Sequence, residues 1–149
     1  MEIEKEIKQE RFKDEYHKLM VNQLFTGKWI TNLIARQLKP FGLTNQQYNV
    51  LRILRGQGKN YISVNAISGR MIDKMSNVSR LIDKLVDKKL VERRINKDDR
   101  RQADIQINQR GLDLISAIEK TEDDLKANFK SLTEKEALQL NQLLDKLRG

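Results

Sequence analysis

The stretch Ser63 to Ile107, SVNAISGRMIDKMSNVSRLIDKLVDKKLVERRINKDDRRQADIQI, changes its hydrophobic period part-way along. Ser63 is placed to cap a helix from Val64 to Met71, and a second helix follows at once and runs to about Lys89. In that second helix Val78, Leu81, Ile82 and Leu85 share one face, and Asn77, Arg80, Lys84 and Lys88 form a stack on the other. From Val91 the period drops to two. Val91, Arg93 and Ile95 alternate with Glu92 and Arg94, and Ala103, Ile105 and Ile107 alternate with Asp104 and Gln106. Between the two runs lies Asn96 to Arg101, polar throughout and too long for a tight two-residue turn. This predicts a β-hairpin with a basic tip that is mobile without a ligand. Two short helices followed by a hairpin predict a helix-turn-helix with a wing, so the fold class is mainly α with a small β-hairpin.

The chain carries a formal net charge of +8, which favours polyanions. The excess is concentrated in residues 70–101, where Arg70, Lys74, Arg80, Lys84, Lys88, Lys89, Arg93, Arg94, Lys97, Arg100 and Arg101 outnumber the acids. A helix that buries one face and presents a basic one fits a major groove about 12 Å wide. Within it Arg80 has the fork that pairs with guanine and Asn77 the amide that pairs with adenine. Ser76 is expected to reach a base or a phosphate, and Lys74 and Lys84 suit phosphates, where a point charge suffices. On the hairpin, Arg94, Arg100 and Arg101 extend the basic surface, and Arg100 is the expected entrant into a minor groove. Asp98 and Asp99 have a place there if one of them holds an arginine by a charge-assisted hydrogen bond.

Outward from this stretch the chain is helical. Residues from about Glu4 to Lys39 read as one long helix ended by Pro40, about 50 Å in length and carrying more apolar surface than the chain alone covers. Thr44-Asn-Gln-Gln47 is a capping box that opens the next helix, which Gly56 and Gly58 stop. Tyr61-Ile62 suggests a short strand. After Asn108 a helix carries Leu112, Ile115, Ile118, Leu125 and Phe129, with a break at Glu122. Thr133-Glu-Lys-Glu136 then opens a last helix with Leu140, Leu143, Leu144 and Leu147. A second copy of the chain is the natural cover for the first and last helices, so a homodimer is expected.

At 149 residues the chain is long enough for one core without staples. It has no cysteine and one histidine, His17, which excludes disulfides, thiolate clusters and a multi-histidine metal site within the chain. No apolar run approaches the length of a membrane span and the acidic start has no secretory h-region, so a cytoplasmic place and no membrane partner are expected. There is no Gly-rich phosphate loop, Gly-x-Ser-x-Gly elbow or metal motif. The reading is therefore non-enzymatic, with no cofactor. Two rivals remain, a chromosome-associated protein that binds DNA through phosphates alone and a helical scaffold for protein partners. Trp29, Phe41 and Tyr48 suit either a ligand pocket or ordinary core packing.

The segments Val78-Ser-Arg-Leu-Ile-Asp-Lys-Leu85, Lys88-Lys-Leu-Val-Glu-Arg-Arg94 and Asp98-Asp-Arg-Arg101, with Gly111 beyond, resemble the MarR family of bacterial transcription regulators. The likeness runs along nearly the whole chain, and the Asp98-x-Arg100 wing followed by an early helical glycine is its most specific part. It implies a single winged-helix chain, with residues 40–108 as the DNA-binding part and residues 1–39 and 109–149 as the helical dimerisation part. It also implies a sequence-specific regulator of double-stranded DNA, commonly a repressor, that reads a pseudo-palindromic site and is released by a small aromatic or phenolic ligand. Asn108 stands where the family usually has threonine, and Ile67-Ser68 where Leu-Ala is usual. Lys74 stands where a capping serine is frequent, which leaves Asp73 as the expected cap of the reading helix.

Overall fold

The helices begin where the sequence supplies caps. Thr44 accepts from the backbone N–H of Gln47 at 3.2 Å while the Gln47 side chain accepts from Thr44 N–H at 3.1 Å, closing the box that opens α3 (Asn45–Gly56). Thr133 and Glu136 do the same for α8 (Glu134–Arg148), and Ser63 caps α4 (Val64–Arg70). The computed structural model describes residues 1–149. Its remaining elements are α1 (Ile3–Ile7), α2 (Glu15–Leu38), β1 (Ile62–Ser63), α5 (Val78–Asp87), β2 (Val91–Ile95), β3 (Ala103–Ile107), α6 (Gln109–Glu119) and α7 (Glu122–Ala127). A 3-10 turn over Lys39–Phe41 carries Pro40, and Gly42 follows it in the left-handed region.

The three strands form an antiparallel sheet in the order β1-β3-β2. Val91 pairs with Ile107 at the base of the hairpin and Ile95 with Ala103 near its tip, while Ile62 of β1 pairs with Ile105 on the other edge. The hairpin strands thus lie where the two-residue period put them. Only Val91 of β2 is buried, because the strand leaves the body of the protein after its first residue. The architecture is a winged helix-turn-helix with helical segments before and after it, mostly α with one small sheet.

Sixteen buried apolar residues make one core that runs from Leu38 at the end of α2, through α3, α4, α5 and the strands, to Ile115 and Ile118 of α6. The polar ties follow the same route. Gln37 Nε2 donates to Thr121 Oγ1 at 2.8 Å, and Arg55 of α3 is paired with Glu119 of α6. The terminal helices stand apart from this core. No residue of α8 is buried, and Leu138, Leu140, Leu143 and Leu147 are exposed, as are Tyr16, Leu24 and Trp29 along α2.

Two boundaries differ from the sequence expectation. The first long helix is two helices. Lys8 takes the left-handed conformation (φ 55°) and ends α1, and Asp14 accepts from His17 N–H to start α2 afresh. Lys18 of α2 then pairs with Glu4 of α1 at 2.5 Å, so α1 is folded back rather than continuous. The helices α4 and α5 do not abut either, because residues 71–77 form an intervening turn.

The end of α5, the wing and α6 meet at one point. Asn108 Nδ2 donates to Lys89 O at 3.0 Å, Asn108 N–H donates to Leu90 O at 3.2 Å, and Asn108 Oδ1 accepts from Gly111 N–H at 3.0 Å. A Cβ on Gly111 would collide with Leu90 O and lie 2.6 Å from Ile107 Cγ1. Only glycine lets α6 approach so closely. Gly111→Ala is expected to destabilise the protein by about 1–3 kcal/mol through overpacking, read as a lower midpoint in urea or thermal unfolding. An unchanged midpoint would mean that the contact relaxes freely.

Candidate nucleic-acid interface

Helix α5 is fixed by what it buries. Val78, Ile82 and Leu85 enter the core, leaving Ser79, Arg80, Asp83, Lys84 and Asp87 exposed. Arg80 and Lys84 form no ion pair or side-chain hydrogen bond within the chain, so both cations are free for an external anion.

Asn77 is the N-cap of α5, its Oδ1 accepting from Arg80 N–H at 3.1 Å. The expected cap, Asp73, is occupied in the preceding turn. Its carboxylate accepts from Gln46 Nε2 at 2.8 Å and from Met75 N–H at 3.0 Å. The Gln46 amide, the Met75 backbone and the Ser76 hydroxyl together hold that carboxyl below the usual carboxylate range. Capping directs Asn77 Oδ1 toward the backbone of its own helix, while its Nδ2 makes no hydrogen bond within the chain. Ser76 precedes the helix rather than lying in its first turn, and its hydroxyl is enclosed. Lys74 Nζ donates to Gly69 O at 2.6 Å, placing the lysine at the C-terminal end of α4.

The wing tip is ordered by Asn96. Its Oδ1 accepts from Asp98 N–H at 2.8 Å and Asp99 N–H at 2.9 Å, and its Nδ2 donates to Asp104. These bonds close the tip into a turn. Asp99 Oδ1 accepts from Arg101 N–H at 3.0 Å and from Arg101 Nε at 3.2 Å, and Asp99 Oδ2 accepts from Gln102 Nε2. The Arg101 backbone and side chain and then Gln102 hold the Asp99 carboxyl below its ordinary value, so it stays charged. Of the two aspartates, one of which is expected to hold an arginine, Asp99 does so, pairing with Arg101. Asp98 and Arg100 are exposed and unpaired.

Arg94 is engaged inside the wing. Its guanidinium lies 3.7 Å from the centroid of the Tyr61 ring and 3.6 Å from Asp104, the buried carboxylate that also accepts from Asn96. Such stacking contributes about 0.5–1 kcal/mol. Arg94 thus joins β2 to β3 and to Tyr61, just before β1, rather than standing free. Arg93 reaches across to Asp83 and ties the wing to α5. Between α4, α5 and the wing lies a polar groove of about 470 Å³ lined by residues that include Asn65, Ser79, Arg93 and Arg101. Asn65 and Ser79 give no signal in the sequence, since only the fold brings them beside the arginines. A second groove, of about 440 Å³, has Phe41, Lys88, Leu90, Arg110, Asp113 and Leu114 around it. Of the three aromatics in question, Phe41 alone lines it. Trp29 packs edge-on against Phe129, and Tyr48 lies under Arg52.

Residues 43–103 match the MarR family. Over this winged helix-turn-helix region the chain is similar to the MarR family of transcription regulators. The match spans the stretch from the start of α3 to the start of β3 and so includes α5 and the wing tip. The chain is 28% identical over 120 residues to the HTH-type transcriptional repressor IacR of Pseudomonas putida, covering 80% of this chain and 70% of that protein. Its fold is similar to that of MepR of S. aureus solved in complex with DNA, with a TM-score of 0.70, 25% identity, and coverage of 92% of this chain and 97% of that one. It is also similar to the organohalide-sensing regulator RdhR in its 2,4-dichlorophenol-bound form, with a TM-score of 0.82, 20% identity, and coverage of 94% and 85%. Family members regulate transcription and are not enzymes. No helix is long and apolar enough to cross a membrane.

Asp104 is the shared acceptor of the wing. Asp104→Ala leaves Asn96 Nδ2 and the Arg94 guanidinium without their partner and is expected to cost about 1–3 kcal/mol. Amide hydrogen exchange should quicken in residues 93–104, and unchanged exchange there would remove Asp104 from this role.

Proposed function

We propose that this chain is a MarR-family, sequence-specific regulator of double-stranded DNA, acting as a homodimer in the cytoplasm and repressing transcription until a small ligand releases it. The observation that carries the reading is the division of α5, whose buried face fixes the helix while Arg80 and Lys84 remain free on the other side. In a major groove Arg80 supplies the bidentate pair with guanine and Lys84 meets a phosphate. The sugar–phosphate backbone runs in the groove between α5 and the wing, against Ser79, Asn65, Arg93 and Arg101. The wing tip offers Arg101, held by Asp99, with Arg100 beside it to the minor groove. Lys74, Ser76, Asn77 and Arg94 then support the turn, the cap and the wing, with Asp98 on the tip.

The division of the chain into a reading head, residues 40–108, and a helical base, residues 1–39 and 109–149, belongs to the same proposal. A 15-residue helix with no buried side chain is marginal alone, so the leucines of α8 and the exposed apolar face of α2 are covered by a second copy. Two-fold symmetry then sets two α5 helices on a pseudo-palindromic site. A small aromatic or phenolic ligand, the class bound by the organohalide sensor, fits the groove at Phe41. That groove touches Lys88 and Leu90, at the end of α5, and α6, so an occupant there bears on the seat of the reading helix.

On a duplex selected from a random pool, Arg80→Ala should lose about 1–3 kcal/mol of affinity and relax the preference at one base pair. Lys84→Ala should weaken selected and random duplexes alike and lower the salt slope by about one phosphate. Equal losses from both variants on both duplexes would count against reading by α5. Sedimentation equilibrium should give twice the 17.5 kDa of one chain at micromolar concentration, and a stable monomer would remove the dimer.

A further inference from the structure

The turn between α4 and α5 carries two large apolar side chains in the open, Ile72 at 87% exposure and Met75 at 91%. The backbone beneath them is held. Met71 is buried at its start, Ile72 N–H donates to Asn49 Oδ1 at 2.9 Å, Met75 N–H donates to Asp73 at 3.0 Å, and Asn77 caps the helix that follows. Two bare side chains on a fixed turn keep apolar surface in water, and no packing within the chain offsets it.

Their surroundings select the partner. Arg70, Lys74 and Arg80 are exposed in the same stretch, while Asp73, the turn's acid, is directed onto Gln46 and the Met75 backbone. Two side chains fall far short of the roughly 800 Å² per partner of a stable protein interface, and a cationic frame does not suit an apolar protein surface. It suits a polyanion that carries isolated apolar groups. In duplex DNA the thymine 5-methyl is the apolar group on the major-groove edge. Met75 lies two residues before the cap of α5, within about 7 Å of chain, at the end of the helix from which base edges are read.

We infer that Met75 is an apolar base reader, its thioether side chain packing on a thymine 5-methyl, with Ile72 adding apolar surface to the same turn. The unbranched, polarizable side chain of methionine suits contact with a single methyl. The inference rests on the DNA-binding reading of α5 and adds to it a thymine preference that the arginine and lysines cannot supply.

Duplexes enriched by the wild-type protein from a random pool provide the probe. Each thymine in them is replaced in turn by deoxyuridine, which removes the 5-methyl and leaves base pairing intact. At one thymine per half-site the wild-type protein should bind about fourfold more weakly to the deoxyuridine duplex, the value of one buried methyl-sized group. Met75→Ala should bind both forms equally, and Met75→Leu should retain the discrimination. Because the side chain is bare, all three proteins should unfold at the same temperature. Indifference of the wild-type protein to every replacement overturns the inference and leaves the DNA-binding reading standing, as does undiminished discrimination by Met75→Ala. Failure of the wild-type protein to enrich any duplex overturns both.

Discussion

Between Leu90 and Gly111 there is no space for a side chain, and the geometry of the reading surface depends on that closeness. The carbonyls of Lys89 and Leu90, at the point where α5 gives way to β2, accept from the Asn108 side chain and backbone, while Gly111 lets α6 press onto the same place. The end of α5, the base of the wing and the helix leading toward the C-terminus are therefore one closely packed junction. Lys89 takes the left-handed conformation there, at φ 58°, in order to turn the chain from helix into strand. For a residue other than glycine this conformation costs on the order of 1–2 kcal/mol, so the surrounding hydrogen bonds and packing must outweigh it. The orientation of Arg80 relative to Arg101 is set at this junction, far from either guanidinium.

Within the wing the charges divide into those that build and those that remain free. Arg94, Asp104, Asn96 and Tyr61 satisfy one another, and Asp99 takes up Arg101 from its own turn. Arg93 is paired with Asp83 across the groove. A basic count alone would treat all of these arginines as equivalent contacts for an anion. The geometry separates them, because a guanidinium stacked on a ring and facing a carboxylate has a partner already, whereas Arg80 and Arg100 do not.

The periodic features of this architecture were legible in the sequence. The switch from a 3.6-residue to a 2-residue period gave the hairpin strands, and the capping boxes at Thr44 and Thr133 gave two helix starts, because both signals are local. What escaped depends on residues far apart in the chain. Asp73 does not cap α5 because Gln46, 27 residues earlier, has drawn its carboxylate into the turn. Arg94 is not free because Tyr61, from the segment that leads into β1, lies beneath it. The break at Lys8 is a different case. The cap at Asp14 is a local signal, but it lies inside a run of helix-forming residues that masks it.

The last helix has a consequence beyond the site. All its leucines lie outside the protomer's own core, so in the proposed dimer its order comes from a neighbour rather than from its own chain. For a species that folds as a pair, each tenfold dilution removes about 1.4 kcal/mol from the free energy that holds the pair together. The number of molecules in a cell then becomes a physical variable of the fold. At low copy number the unpaired chains present α8 as a frayed, apolar segment, the kind of feature that quality-control proteases recognise.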